Sequence, residues 1–309
     1  MVAGVAMSAR RRRLASVDVG SNTVHALVAD VHDGRLDDVA YFVQMPELGA
    51  EVDRTGRIGP AKTGEAIAAL EAVLAPAREL GYEHLLAGAT SAVRRAGDRE
   101  EFLARASAAI HVPVRLLSEE REAELSFQGV ASRHGARRAW LMGDMGGGST
   151  ELVVAEGSRA VRWTSLRIGS GGMASRFLSD PPRTGEREAL RAAALAEVRR
   201  APECEAQRLV MTGGTASNLP LVISAQNPPD VLTTEALLTA AQRLDANTAD
   251  VLAQRYNLPA ARIRALRGGV ELLLLLLDFY GLDRFHVSHA GLRQGMILAY
   301  LERGDHWWR

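Results

Sequence analysis

Along this chain, short apolar runs bounded by glycine and polar clusters alternate with longer stretches in which apolar residues recur at helical spacing. LASVDV (14–19) reads as a strand, and a second strand follows the Gly-bearing turn after it. PAKTGEAIAALEAVLAPARELG (60–81) has the helical period, with Gly81 as its stop signal. HLLAGA (84–89) is the next strand, and TSAVRRAGDREEFLARASAAI reads as a helix opening at Thr90–Ser91. VPVRLL (112–117) is a further strand, and SEEREAELSFQGVAS (118–132) is the helix after it. RHGAR (133–137) is short, polar and broken by glycine, and predicts the domain joint. Beyond it the order resumes with a hairpin opened by WLMGDM (140–145), the strand VRWTSLRI, helices, and LVMTGGTASN (209–218), a strand running into a Gly-Gly-Thr turn. Long helical segments, a strand FHVSH (285–289) and a closing helix GLRQGMILAYLERG complete the chain. Strands alternating with helices in both halves predict an α/β protein. Two similarly built lobes, 10–132 and 137–309, are expected to face each other across a cleft.

One phrase occurs twice. DVGSNTVHALVAD (18–30) and DMGGGSTELVVAE (144–156) superpose in register, matching Asp18 with Asp144, Gly20 with Gly146, Val28 with Val154 and Ala29 with Ala155. Each is a strand, a loop of small residues with a hydroxyl, and a second strand. Asp, Gly, Asn and Ser are common turn formers, so one copy alone reads as an ordinary hairpin. Two copies in register point further. Such a loop bares successive backbone N–H groups to an anion, and an Asp at the strand end can hold a metal ion directly or through water. The copies differ at one step: the place of Glu151 is taken by His25 in the first. Asp144 and Glu151 can together serve Mg²⁺, which takes one or two carboxylates plus substrate phosphate.

Composition narrows the alternatives. With 309 residues and 47% hydrophobic content the chain can bury a two-domain core. The 37 basic and 37 acidic residues cancel, so affinity for a polyanion must come from a local site, and nucleic acid is not an expected partner. Lys62 is the only lysine, and the Arg bias reads as a codon effect. A lone cysteine, Cys204, excludes an intrachain disulfide and suits a reducing cytoplasm. The basic cluster Arg10–Arg13 follows small residues rather than preceding a long apolar stretch, so no signal peptide is expected. LLLLLL (272–277), between Glu271 and Asp278, is far short of the ~20 residues that span a bilayer and predicts a buried helix. No membrane partner is expected. Neither a P-loop, a dinucleotide fingerprint at GSGG (169–172), a zinc motif nor a nucleophile elbow is present.

Two further segments belong at the cleft. ATSAVR (89–94) is a strand end entering a helix, where Thr90 or Ser91 caps the helix, free N–H groups meet an anion and Arg94 adds a forked contact. SEEREAE (118–124) begins a helix with acids. Acids there are favourable through the helix dipole alone, but chemistry needs just one of them beside a water.

In this order, DVGSNT, ATSAVR, the acidic helix start, D-x-GGGSTE and a late GGT turn resemble the exopolyphosphatase / guanosine pentaphosphate phosphohydrolase (Ppx/GppA) family, from about Leu14 to Leu301. The resemblance implies a duplicated actin-like (ribonuclease-H-like) ATPase fold with the active site in its central cleft. It implies hydrolysis of a terminal phosphate from polyphosphate or from guanosine pentaphosphate with Mg²⁺ (or Mn²⁺). It carries the catalytic glutamate over to Glu122 and the metal to Asp18, Asp144 and Glu151. Phosphate contacts carry over to Ser21, Asn22, Thr23, Thr90, Ser91, Arg94, Gly147, Gly148 and Ser149. It also implies the short form without a C-terminal HD-type domain, in the cytoplasm and in the stringent response. Two positions depart: Glu119 stands in place of a glycine, and Glu47 where a basic residue is expected before Leu-Gly. An acid there would repel a polyphosphate chain. Other readings are an ATP-dependent kinase of the same superfamily, and a guanosine penta/tetraphosphate sensor with weak catalysis. A homodimer is expected, with Trp307 and Trp308 suited either to its contact or to internal packing.

Overall fold

The first hairpin pairs β1 (Arg12–Val19) antiparallel to β2 (Val24–His32), which pairs with β3 (Arg35–Gln44). The computed structural model describes residues 11–134 and 139–309. β1 is buried from Leu14 to Val19 because both faces of the sheet are covered, so its two polar residues, Ser16 and Asp18, are buried along with the apolar ones. Helices α1 (Leu48–Thr55) and α2 (Gly59–Glu79) follow, then β4 (His84–Ala89), α3 (Ser91–Arg95), α4 (Arg99–Ile110), β5 (Val114–Leu116) and α5 (Glu119–His134). The sheet order is β3-β2-β1-β4-β5, with β4 parallel to β1 and β5 parallel to β4.

The second half repeats this plan with β6 (Ala139–Met145), β7 (Thr150–Glu156) and β8 (Arg159–Leu166). Then come α6 (Ser170–Phe177), α7 (Glu186–Val198), β9 (Leu209–Thr212), α8 (Gly213–Ile223), β10 (Val231–Thr233), α9 (Thr234–Asp245), α10 (Ala249–Tyr256), α11 (Ala260–Phe279), β11 (Arg284–Val287) and α12 (Leu292–Arg303). Its order, β10-β11-β9-β6-β7-β8, is the first sheet's order with one edge strand added. This is the expected α/β architecture, a duplicated actin-like (ribonuclease-H-like) fold. The leucine run lies in α11, buried in the larger core. Two buried charges on that helix, Arg267 and Glu271, are paired. Arg267 donates to the carbonyls of Leu244 and Asn247 and to Asp180, and Glu271 accepts from Arg187. No helix among the described residues is long and apolar enough to cross a membrane.

Packing crosses the boundary that chain order suggests. α5, from the first half, lays Ala123, Phe127 and Val130 on Trp140, Met142 and Val153 of the second sheet. α12, from the second half, lays Leu292, Met296 and Ile297 on Leu14 and Leu27 of the first. The two helices cross at glycines. A Cβ on Gly129 would stand 1.9 Å from the Gly291 carbonyl oxygen, and one on Gly295 would stand 1.7 Å from that of Leu125.

Several local expectations change. The helix read over Thr90–Ile110 is two, because Asp98 leaves it to accept the Ile58 and Gly59 N–H groups at 2.9 Å each, opening α2. Arg133 and His134 of the expected joint still belong to α5, and residues 135–137 lie outside the described residues, as does Arg10. Arg11 and Arg13 pair with Asp30, and Arg12 with Glu83. Trp307 is buried against α12, with its carbonyl taken by Arg121, and Trp308 lies under Arg115. These are packing contacts within the chain.

Candidate active site

The repeated phrases fold alike. Gly20 N–H donates to the Thr23 carbonyl at 2.8 Å, and Gly146 N–H donates to that of Ser149 at 2.9 Å. Register places Asp18 opposite His25 and Asp144 opposite Glu151, so the asymmetry seen in the sequence is a difference between two equivalent cross-strand pairs. Each loop is held by the helix region beyond its hairpin. Glu47 and Gly49 donate to the Asn22 and Ser21 carbonyls, while Ser170 and Gly172 donate to those of Gly146 and Gly147.

The two loops touch across the cleft. A Cβ at Gly147 would lie 2.5 Å from Asn22, and one at Gly148 would lie 2.7 Å from Ser21 Oγ. Glycine is needed there because no side chain fits between the loops.

A cavity of about 110 Å³ sits beneath them. Of the residues expected at the site, it is lined by Asp18, Ser21, Thr23, Thr90, Ser91, Glu122, Asp144, Gly147, Gly148 and Ser149. Three are placed otherwise. Asn22 faces a neighbouring cavity of about 280 Å³, and Arg94 faces one of about 550 Å³ that also holds Arg95, Arg167 and Arg176. Glu151 is buried behind the loop, accepting from Ser165 Oγ at 2.8 Å. Of the two departures, Glu119 lines the 550 Å³ cavity, and Glu47 lines the 280 Å³ cavity, 4.0 Å from Arg264.

The electrostatics are those of buried acids. Burial pushes the Glu122 carboxyl up to about 7, against the charge and hydrogen bond of Arg94, whose Nη1 stands 2.9 Å away, and with Asp144 and Asp18 adding to the rise. Arg94 also donates to the Leu117 carbonyl at 2.7 Å. Burial raises Asp144 although Ser126 donates to it at 2.6 Å. Burial, then Glu122 and Asp144, hold Glu151 well above the ordinary range. Asp18 is also raised by burial, and Arg293 opposes this through a 2.8 Å ion pair. Among the described residues, Asp144 and Glu151 have no ion-pair partner, whereas Asp18 has one.

The donor set bears on a metal. Among the described residues, no group of three or more His, Cys, Asp and Glu side chains is arranged to hold an ion by itself. Asp144, with an uncompensated carboxylate at the cavity wall, suits a hard cation that takes one or two carboxylates and completes its shell with water and phosphate.

Residues not assigned a contact from the sequence complete the wall. Thr212, Gly213 and Gly214 come from the late GGT turn, which occupies in the second lobe the strand-to-helix position of ATSAVR in the first. Ser288, His289 and Arg293 come from the β11–α12 connection and the start of α12. No local signal marked Arg293, because it reaches Asp18 from 275 residues away.

The family model described as the Ppx/GppA phosphatase family matches residues 27–304. The solved structure of the Aquifex aeolicus Ppx/GppA family member is similar at 26% identity and a TM-score of 0.78, covering 96% of this chain and 100% of that one. The type II variant of the Aquifex aeolicus Ppx/GppA phosphatase is similar at 27% identity and a TM-score of 0.72, covering 93% and 99%. An exopolyphosphatase from Cytophaga hutchinsonii shares the fold at 22% identity and a TM-score of 0.84, covering 94% and 98%.

Proposed function

The chain belongs to the Ppx/GppA phosphatase family, and from that premise we propose that it hydrolyses a terminal phosphoanhydride bond of inorganic polyphosphate or guanosine pentaphosphate. The observation that carries this reading is Glu122, a buried acid at the wall of the cavity where two Gly/Ser loops meet, poised at about 7. A general base works best when its pKa lies near the operating pH.

In this reading the two hairpin loops hold the terminal phosphoryl group. Ser21 Oγ is buried without a hydrogen-bond partner at this wall, and Ser91 and Ser149 line the same cavity. Glu122 accepts a proton from the attacking water, while Arg94 orients its carboxylate. Asp144, with help from Glu151 and Asp18, would hold Mg²⁺ (or Mn²⁺), which would supply positive charge to offset that of the phosphate oxygens. Positioning and electrostatics supply most of the acceleration in phosphoryl transfer, and general-base help adds roughly 10²–10⁴-fold. A homodimer in the cytoplasm remains part of this proposal, and light scattering would test the dimer.

The test is phosphate release, with Mg²⁺ present, from short polyphosphate, long polyphosphate, guanosine pentaphosphate and ATP, beside Glu122→Gln. Release that vanishes in the variant supports hydrolysis, and the best substrate names the subgroup. Transfer to an acceptor without bare hydrolysis would replace the reading with a kinase. Tight alarmone binding with no release from any substrate would replace it with a sensor.

A further inference from the structure

One face of α5 carries Ala123, Phe127 and Val130 onto the second sheet, and Ser126 falls on the same face by helical spacing. Ser126 is fully buried. A hydroxyl in such a place costs free energy unless it is bonded, and a serine inside a helix can satisfy itself on the carbonyl one turn back. Here Ser126 Oγ instead donates to Asp144 Oδ2 at 2.6 Å, the length of a charge-assisted O–H···O⁻ bond.

That bond gives the two oxygens of Asp144 different surroundings. Oδ2 is committed to α5. Oδ1 lies beside Gly213, 2.9 Å from where a Cβ on that residue would stand. Gly213 has a φ of +91° and lines the cavity beneath the loops, so the turn that the backbone makes there also leaves Oδ1 uncovered by a side chain. The neighbouring acid is held differently. Glu151 takes its hydroxyl from Ser165, its paired residue on β8, within one sheet. Asp144 takes its hydroxyl from the helix that also carries Glu122. Glu122 and Ser126 are four residues apart, a spacing that puts side chains on one helix face with Cβ atoms about 5–6 Å apart.

We propose that Ser126 is a positioning residue for the reaction: by anchoring Asp144 Oδ2 to α5, it fixes the direction of Oδ1 and the spacing between the cation-holding acid and Glu122. This rests on the phosphoanhydride reading for the roles of Asp144 and Glu122. One helix thereby indexes both acids, although Asp144 stands on a strand of the second sheet.

The experiment titrates the full chain with Mn²⁺, without substrate, and follows the free-ion EPR signal. Ser126→Ala is expected to bind Mn²⁺ roughly 10- to 100-fold more weakly, the usual cost of losing a partner that orients a ligating carboxylate. Ser126→Thr keeps the hydroxyl and is expected to recover most of that affinity. The Mg²⁺ concentration giving half-maximal phosphate release should rise in Ser126→Ala by a similar factor. A hydroxyl that only satisfied a buried carboxylate would change the melting temperature and leave both readings in place.

Unchanged Mn²⁺ affinity in Ser126→Ala, equal weakening in Ala and Thr variants that both fold, or a wild-type chain that takes up no Mn²⁺ would each overturn the proposal. Should Ser126→Ala not fold, Ser126→Cys keeps a similar volume, donates only weakly and is expected to show a smaller loss in the same direction. Mn²⁺ binding that depends on Ser126, without phosphate release from any substrate, would leave the anchoring of Asp144 standing and remove the hydrolase reading. Phosphate release with Mn²⁺ binding indifferent to Ser126 would do the reverse.

Discussion

Replacing Glu122 by glutamine should make the protein more stable while making it inactive. The carboxyl is 8% exposed, and its pKa rises from 4.5 to about 7 on folding. An acid whose folded pKa is raised binds its proton more tightly folded than unfolded. Its contribution to stability is therefore present below about 4.5 and is lost as the pH climbs through about 7. At about 1.4 kcal/mol per pKa unit, the loss amounts to roughly 3 kcal/mol by pH 8. That figure is already net of the ion pair with Arg94 at 2.9 Å, which opposes the rise. Glutamine keeps part of this, because its amide oxygen can accept from Arg94. Arg94 itself retains the Leu117 carbonyl and opens onto the 550 Å³ cavity, so its charge is not stranded. The balance favours Glu122→Gln by roughly 3 kcal/mol at pH 8 and by almost nothing near pH 4.5. In a protein of this size that is a gain of roughly 4–6 °C in Tm. Calorimetric melts of both proteins in EDTA from pH 4.5 to 8 measure it. A variant that melts below wild type at pH 8, or a difference that does not vary with pH, would refute the reasoning. Phosphate release by the same variant should fall by roughly 10²–10⁴-fold with substrate binding retained.

Gly295→Ala should lower Tm by about 6 °C, for about 3 kcal/mol, because its Cβ would meet the Leu125 carbonyl at 1.7 Å and force α5 and α12 apart. Gly64→Ala, in α2 with nothing within 4 Å of the new atom, is the control and should gain about 0.5–1 kcal/mol. Asp98→Ala should cost about 1–2 kcal/mol in urea melts by uncapping α2. Burial pushes the Asp98 carboxyl up, but the N–H groups of Ile58 and Gly59, its own N–H and Arg57 outweigh that and hold it low. Its contribution is therefore present above the ordinary carboxylate pKa and disappears as the pH falls below it. Removing divalent metal with EDTA should abolish phosphate release, and added Mg²⁺ should restore it, as a colorimetric phosphate assay would record.

What the sequence made legible follows from how local each cause is. A loop's chemistry is written in consecutive residues, so DVGSNT and DMGGGST could be read as two halves of one clamp, and the structure builds the same turn in both. Cross-strand register follows from a hairpin of known length, which is why His25 could be matched to Glu151 before any coordinates. Three things depended on distant chain. Arg94 carries a forked donor at a helix start, the signature of a phosphate contact, yet it turns to Glu122, whose position is set by α5 lying across both lobes. The helix expected over Thr90–Ile110 breaks because Asp98 has partners at Ile58 and Gly59, 40 and 39 residues back. Arg293 sits in a closing helix that by chain order belongs to the second lobe. It enters the site because Gly129 and Gly295 let α5 and α12 cross at backbone contact, which carries α12 onto the first sheet. Those two glycines have no signal of their own, since a glycine inside a helix reads as a small penalty. Only the opposing helix shows what they permit: a guanidinium from the end of the chain placed between Asp18 and His25 at its beginning.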